Sequence, residues 1–362
     1  MLLLMLVLIG AGNGYALWHI WHLLPLPMVG RWIVTMCFAV VAFSQWAFFL
    51  LNGAEWPLPI ASFFYKVGNS WLFIMVYLVL IFLLLDLGRW VGLVPTSFLK
   101  SSWIGTGSIA SVMLALFAYA NYHFHDKQRV ALHIATSKPL TRPLKVVMLS
   151  DIHAGFHIRR NEIAQMVDRI NAEHPDYVLI AGDIIDISVR PLLEEGTANE
   201  FRRIEAPTYA ILGNHEYHSG NPQALKFLRD ADIRLLQDSL VNLPEGITIV
   251  GRDDRSNPHR KNLRVLTKGL APERFTILLD HQPYHLEQAE QAGIDFQFSG
   301  HTHRGQIWPF SWVTDKLYET AWGHHQRGKT QYYVSSGYGI WGGKFRLGTQ
   351  SEYLVLHLSP SL

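Results

Sequence analysis

A single cysteine in 362 residues, Cys37, lies inside an apolar run, which excludes an intrachain disulfide and any cysteine-based metal site. Any metal must be held by nitrogen and oxygen. Neither sign of charge dominates, with a net +2 at pH 7. No basic stripe with interleaved aromatics is present, so nucleic acid is not an expected partner. Internal repeats and low-complexity segments are also lacking. The sharpest shortage is of charge at the start of the chain. Residues 1–125 hold six Asp, Glu, Lys or Arg (Arg31, Glu55, Lys66, Asp86, Arg89, Lys100), and the remaining 237 residues hold the other 54. The composition breaks near residue 125 into an apolar part and a polar one.

Spanning a bilayer takes about 20 mostly apolar residues, and the few charges divide the first part into four stretches of that length, 1–24, 32–54, 67–85 and 101–125. Residues 1–125 are therefore expected to form an all-α, four-helix transmembrane region. The first stretch lacks the positively charged start and small-residue cleavage site of a signal peptide, and reads as a span. Trp18, His19, Trp21, His22, Trp90, Trp103, His123 and His125 cluster at the stretch ends, where aromatic rings settle at a membrane interface. Four spans put both ends on one side. Arg31, Arg89 and Lys100 fall opposite to Lys66, Lys127, Arg129, Lys138 and Arg142, which favours a cytoplasmic polar domain on a multi-pass protein of a bacterial inner membrane. No charge lies mid-span, so the helices read as an anchor in the lipid bilayer rather than a transport path.

A polar linker is expected over 126–143, followed by a domain over 144–362 in which β-rich apolar runs alternate with helical patterns, an α/β class. Leu144 to Ser150 reads as a strand running into Asp151 and His153, and Ile163, Met166, Val167 and Ile170 then recur at helical spacing. Tyr177 to Gly182 reads as a second strand ending on Asp183, Pro207 to Gly213 as a third ending on Asn214-His215-Glu216, and Phe275 to Asp280 as a fourth ending on His281. Phe296 to Phe298 leads to Ser299-Gly300-His301-Thr302-His303. Further short runs, 247–250, 332–335 and 353–358, suggest a second sheet.

Five strand ends thus carry metal-type side chains at the edge where ligands of open α/β sheets sit. Asp151, His153, Asp183, Asn214, His281, His301 and His303 suit hard or borderline divalent ions such as Mn, Fe or Zn. Seven ligands are too many for one ion. Two ions about 3.5–4 Å apart need a shared carboxylate, for which Asp183 is the natural bridge, and such a pair clamps both oxygens of an in-line displacement. Two divalent ions against two aspartates leave a positive pocket that suits a phosphate ester. Water on such ions loses its proton near neutral pH, so the expected nucleophile is metal-bound hydroxide. His215, beside a ligand, is the expected catalytic acid or transition-state donor. Glu216 and Asp186 are candidates for orienting the ligands.

On these residues the chain resembles the calcineurin-like metallophosphoesterases, whose five motifs match Asp151-Ile-His153, Gly182-Asp183, Gly213-Asn214-His215-Glu216, His281 and Gly300-His301-Thr302-His303 in order. The resemblance covers residues 144–358 and implies a four-layer αββα sandwich. It implies one metal on Asp151, His153, Asp183 and His303, another on Asp183, Asn214, His281 and His301, and His215 as acid or stabiliser. More narrowly, Gly251-Arg-Asp-Asp254 and the Gly-rich 336–348 segment resemble a membrane-associated branch. That branch includes transmembrane proteins with a metallophosphoesterase domain and some UDP-2,3-diacylglucosamine hydrolases, which implies a lipid-linked phosphate as a candidate substrate. Arg304 stands where many members have Gly.

The expected function is hydrolysis of a phosphodiester, pyrophosphate or phosphomonoester by a membrane-anchored two-metal enzyme. The alternatives are a non-catalytic metal-binding sensor or scaffold, against which the presence of His215 beside every ligand argues, and a transporter with an appended hydrolase. Arg304 and Arg346 are candidate substrate contacts, and Arg159 a weaker one. His157, His174, His218, His259, His285, His324 and His325 match no strand-end station and read as surface or capping residues.

Overall fold

The structure, a computed structural model, describes residues 2–219 and 221–361, with the backbone alone for residues 2–5 and 221. It divides into two units, Met1–Tyr122 with Gly342–Lys344, and His123–Trp341 with Phe345–Leu362.

The first unit is helical, with α1 (Leu2–Leu23), α2 (Met28–Leu50), α3 (Leu58–Trp90) and α4 (Trp103–His125). Prolines mark two of the starts. Pro27 caps α2 and Pro57 caps α3, positions at which a missing N–H costs nothing. α2 and α3 approach closely at Gly68, where a Cβ would lie 2.5 Å from the Gln45 nitrogen. Beside that contact Gln45 donates to Asn69 Oδ1 at 3.0 Å, and Trp71 donates to Asn13 Oδ1 at 2.8 Å, so the polar groups between the helices are paired. Asp86, expected to end a span, lies within α3 and accepts from the Tyr15 hydroxyl at 2.6 Å, with Arg89 at 3.2 Å. His19, expected at an interface, is buried against Asp86 at 2.9 Å. Among the described residues three helices are long and apolar enough to cross a membrane, Met28–Leu50, Leu58–Trp90 and Trp103–His125, rather than four. α1 overlies the first expected stretch, whose beginning falls outside the described side chains.

The second unit is a four-layer α/β sandwich. Its strands are β1 (Lys127–Thr136), β2 (Leu144–Leu149), β3 (Tyr177–Ala181), β4 (Thr208–Ile211), β5 (Arg234–Leu235), β6 (Ser239–Asn242), β7 (Ile247–Gly251), β8 (Phe275–Leu279), β9 (Phe296–Ser299), β10 (Gly323–Arg327), β11 (Thr330–Val334) and β12 (Ser351–Pro360). Its helices are α5 (Arg160–Ala172), α6 (Arg190–Glu194), α7 (Ala198–Phe201), α8 (Asn214–His218), α9 (Asn221–Asp230), α10 (Leu263–Leu266), α11 (Glu287–Gln291) and α12 (Phe310–Leu317). One sheet has the order β1-β12-β2-β3-β4-β5 and the other β10-β11-β9-β8-β7-β6. The pairs β2-β3, β3-β4, β7-β8 and β8-β9 are parallel.

Period-two alternation of apolar residues on both faces explains the layering. Val146 and Met148 of β2 meet Ile249, Ile277, Leu279 and Phe298 between the sheets. Val147 and Leu149 face outward under Ile163, Met166, Val167 and Ile170 of α5. On the far side Val250 and Leu278 lie under α10 and α11. Two expectations are corrected. Residues 126–143, read as a linker, contain β1, which pairs in parallel with β12 over ten residues and buries Ile134. Its exposed positions, Arg129, Ala131, His133 and Ala135, alternate with Val130, Leu132 and Ile134, which turn inward from the sheet edge. The run 353–358, assigned to the second sheet, is β12 and pairs with β2 in the first.

Candidate metal centre

Each expected ligand follows a strand at its carboxyl end: Asp151 and His153 after β2, Asp183 after β3, Asn214 after β4, His281 after β8, His301 and His303 after β9. Five of the seven sit in the left-handed region, with φ of 53° at Asp151, 50° at His153, 51° at Asp183, 70° at His301 and 46° at His303. This conformation costs an L-residue about 1–2 kcal/mol and clusters where a fold forces side chains to converge. Glycines open the space they converge into. A Cβ on Gly300 would lie 2.2 Å from Asp151 Oδ2, and one on Gly213 would lie 2.2 Å from Asp183 Oδ1.

The structure brings all seven together. His153 Nε2 faces His303 Nε2 at 3.1 Å, His303 Nε2 is 3.4 Å from Asp151 Oδ1, and His153 Nε2 is 3.7 Å from Asp183 Oδ2. His281 Nε2 is 3.1 Å from the same Asp183 Oδ2 and 3.3 Å from Asn214 Oδ1, and His301 Nδ1 is 2.9 Å from Asn214 Oδ1. Asp183 Oδ2 therefore lies between imidazoles of two clusters, while its Oδ1 accepts the His215 backbone N–H at 2.9 Å.

This donor set fits divalent cations. Two imidazole Nε2 atoms pointing at one another beside a buried carboxylate is an arrangement that a cation between them satisfies. Asp151-His153-His303 and Asp183-His281-His301 each place one ligand atom per residue within 4.8 Å of the others. The outward nitrogens support the same roles. His281 donates its Nδ1–H to the Ala181 carbonyl at 2.7 Å, which leaves Nε2 aimed inward. Asp186 Oδ1 lies 3.5 Å from His153 Nδ1 and 3.3 Å from His215 Nδ1, and so orients a ligand and the expected acid together.

The electrostatics follow from burial against charge. Burial would raise the Asp183 carboxyl, but His281, His215 and His153 overcome it and hold it well below the usual range. Burial raises Asp151, which His281 opposes and Asp183 reinforces. Burial lowers His303 well below its ordinary value, aided by His153 and Arg346, and lowers His301 to about 4, aided by His281. Both imidazoles thus favour the neutral form that coordinates metal. His215 moves the other way. Burial lowers it, yet Asp183 and Asp186 together carry it up to about 9. Its ring centroid is 4.5 Å from that of His153.

Glu216 is fully buried behind the ligand loops. Its Oε2 accepts from the Gly213 N–H at 2.7 Å and the Asp183 N–H at 3.1 Å, and its Oε1 from the Ile185 N–H at 2.8 Å. The two candidate arginines separate. Arg346 is fully buried and donates to the carbonyls of His303 at 3.0 Å, Ser336 at 2.6 Å and Gly339 at 2.7 Å. These contacts hold the Gly-rich segment and the His303 backbone together, a position unlike the substrate contact expected from sequence. Arg304 is half-buried in a left-handed conformation with its guanidinium 4.3 Å over the Trp322 ring. Sequence reasoning missed Glu352, fully buried on β12, which accepts from the Ser336 N–H and Trp322 Nε1, both at 2.9 Å. A lone carboxylate at the head of the apolar run 353–356 was the available signal.

Known proteins share sequence with this chain. A family model of the calcineurin-like phosphoesterases matches residues 144–305. A metallophosphoesterase of Aquifex aeolicus, named as uncharacterized, is 30% identical over 258 residues, covering 68% of this chain and 96% of that protein. One of Campylobacter jejuni, named likewise, is 35% identical over 227 residues, 60% of each chain. The transmembrane protein with metallophosphoesterase domain of Bos taurus is 31% identical over 243 residues, covering 61% of this chain and 55% of that one. This chain spans about three-fifths of the length of the first of the curated relatives it matches. It belongs to the calcineurin-like phosphoesterases, a class of metal-dependent phosphoester hydrolases.

Proposed function

We propose that this chain is a membrane-anchored hydrolase of a phosphodiester, pyrophosphate or phosphomonoester, working with two divalent ions. Asp151, His153, Asp183 and His303 hold one ion, and Asp183, Asn214, His281 and His301 the other. The observation that carries this reading is the place of Asp183 Oδ2, 3.7 Å from His153 Nε2 and 3.1 Å from His281 Nε2, which makes a single carboxylate oxygen common to both clusters. When bound, the ions supply an acidified water and a positive clamp for phosphoryl oxygens.

The chain's own groups supply the rest. Asp186 lies beside the His215 ring and orients it, so His215 is placed to donate to the phosphoryl oxygens or to the leaving oxygen. Glu216 holds the Asp183 and Gly213 backbones in register, which fixes the spacing of the two ligand sets. Three apolar helices of spanning length support anchoring, and Lys127, Arg129, Lys138 and Arg142 support a cytoplasmic site on a bacterial inner membrane. An anchored site favours a lipid-linked phosphate over a freely diffusing one.

The test uses the full chain in lipid nanodiscs with bis(p-nitrophenyl) phosphate and manganese. Hydrolysis should require the metal, and Asp183→Ala should lower metal content at both sites and reduce turnover to the metal-free level. Undiminished turnover in that variant overturns the mechanism.

A further inference from the structure

The phosphoesterase unit concentrates exposed apolar side chains in one place away from its strands. On α12, Phe310, Val313 and Leu317 are 41, 51 and 67% exposed and recur at i, i+3 and i+7, one stripe of the helix. Trp312 is 61% exposed, and its ring stands edge-on to that of Trp308, with centroids 5.3 Å apart. Ser311 is the residue of the helix that is buried against the domain. Elsewhere among the described residues of this unit, the large exposed apolar residues Leu193, Leu240, Val265 and Trp341 stand on four separate segments. Fully covering a side chain of this size is worth about 1.5–3 kcal/mol, and a contiguous apolar patch on a soluble surface marks an interaction site.

The helix also abuts the metal centre. Its first residues press on Gly305, two positions after His303, where a Cβ would lie 2.4 Å from the Phe310 carbonyl carbon. Whatever covers α12 is therefore held close to the ligand loop that carries His301 and His303.

The chain's connectivity says what that cover is. α4, apolar enough to cross a membrane, ends at His125, and β1 begins at Lys127, so one residue separates a candidate span from the first strand of the sandwich. A domain on so short a tether meets the bilayer at high effective concentration. The patch has matching chemistry. Two tryptophans, a phenylalanine and a leucine, with Lys316 exposed among them, are the side chains that settle at the boundary of headgroups and acyl chains.

We propose that α12, together with Trp308, docks into the interfacial layer of the phospholipid bilayer, about 5–10 Å deep, and so holds the metal centre beside phosphate groups at the membrane surface. This rests on the reading that the helical unit spans the bilayer, and the test separates the two. Cys37, exposed on α2, is the native cysteine. The full chain is labelled there with an environment-sensitive fluorophore, and Val313→Cys and Val265→Cys are labelled in a Cys37→Ser background, all in phospholipid vesicles. Unchanged hydrolysis of soluble bis(p-nitrophenyl) phosphate reports that the variants are folded. Labels at 37 and 313 should lose most of their emission when brominated phospholipid replaces the ordinary lipid, and the label at 265 should not. Quenching at 37 without quenching at 313 overturns docking and leaves the anchor intact. No quenching at 37 overturns the anchor and docking with it. A label at 313 shielded from aqueous iodide yet unquenched by bromolipid means that a second copy or a protein partner covers α12, which also overturns the proposal.

Discussion

Removing the Glu216 carboxylate should weaken both metal sites at once, because it satisfies three backbone donors of two ligand loops. In Glu216→Ala the N–H groups of Gly213, Asp183 and Ile185 lose acceptors that now lie at 2.7, 3.1 and 2.8 Å. A buried donor left unpaired costs about 1–3 kcal/mol. Water entering the vacated space recovers part of this, so the sum is roughly 3–5 kcal/mol. Against a domain stability of about 5–15 kcal/mol the variant still folds, and its unfolding midpoint falls by about 10 °C. Glu216→Gln keeps the shape and one carbonyl oxygen, which serves Gly213 and Asp183, but turns an amide N–H toward that of Ile185. Its cost is one lost bond, about 1–3 kcal/mol. The assay is the near-ultraviolet circular dichroism of the full chain in nanodiscs, scanned at one rate after metal removal, with metal content measured separately. The order wild type, Gln, Ala is expected, with both ions weakened in the Ala variant. Equal midpoints for Ala and wild type, or loss of one ion alone, would falsify the assignment of Glu216 as the brace between the loops.

Two further perturbations probe other parts of the unit. Asp186→Asn removes the charge that orients His153 and His215. It should lower metal affinity or turnover by about 10–100-fold and draw the alkaline limb of the rate profile to lower pH, whereas a merely structural role would leave that limb in place. On the β1–β12 ladder, His357 stacks on His133 at 4.6 Å, and burial, then His133, Arg129 and Lys145, hold it below its ordinary pKa. The unfolded chain then takes up the proton first, so this stability is complete above about pH 6.5 and is lost as pH falls through the folded value. His357→Val should flatten the decline of the unfolding midpoint in mild acid, and an unchanged decline would remove His357 as its source.

The convergence of the candidate ligands was legible because each of them closes an apolar run of strand length, and a run followed by Gly-Asp or Gly-Asn-His is a local signal. Sheet membership was not, because β12 reaches its place between β1 and β2 by pairing across most of the domain. β1 was hidden because its apolar Val130, Leu132 and Ile134 alternate with Arg129, His133 and small alanines at an edge, where composition resembles a loop. Arg346 shows a different limit. A cation beside a glycine-rich stretch reads as a phosphate contact, and only the fold reveals that its donors end on carbonyls of the His303 and Ser336 loops. The exposed stripe of α12 escaped notice because the same i, i+3, i+7 pattern in a sequence ordinarily predicts a buried face.

The ten-residue register from Lys127↔Ser351 to Thr136↔Pro360 has a mechanical meaning. A load applied along β1 falls on the whole ladder in shear, because β1 runs parallel to β12. All its hydrogen bonds must then yield nearly together, whereas a strand peeled from one end gives way bond by bond. β12 passes the load to β2, the strand that leads to Asp151. Among the described residues this ladder is the longest of its sheet, so drag along β1 meets more hydrogen bonds there than at any other strand pair.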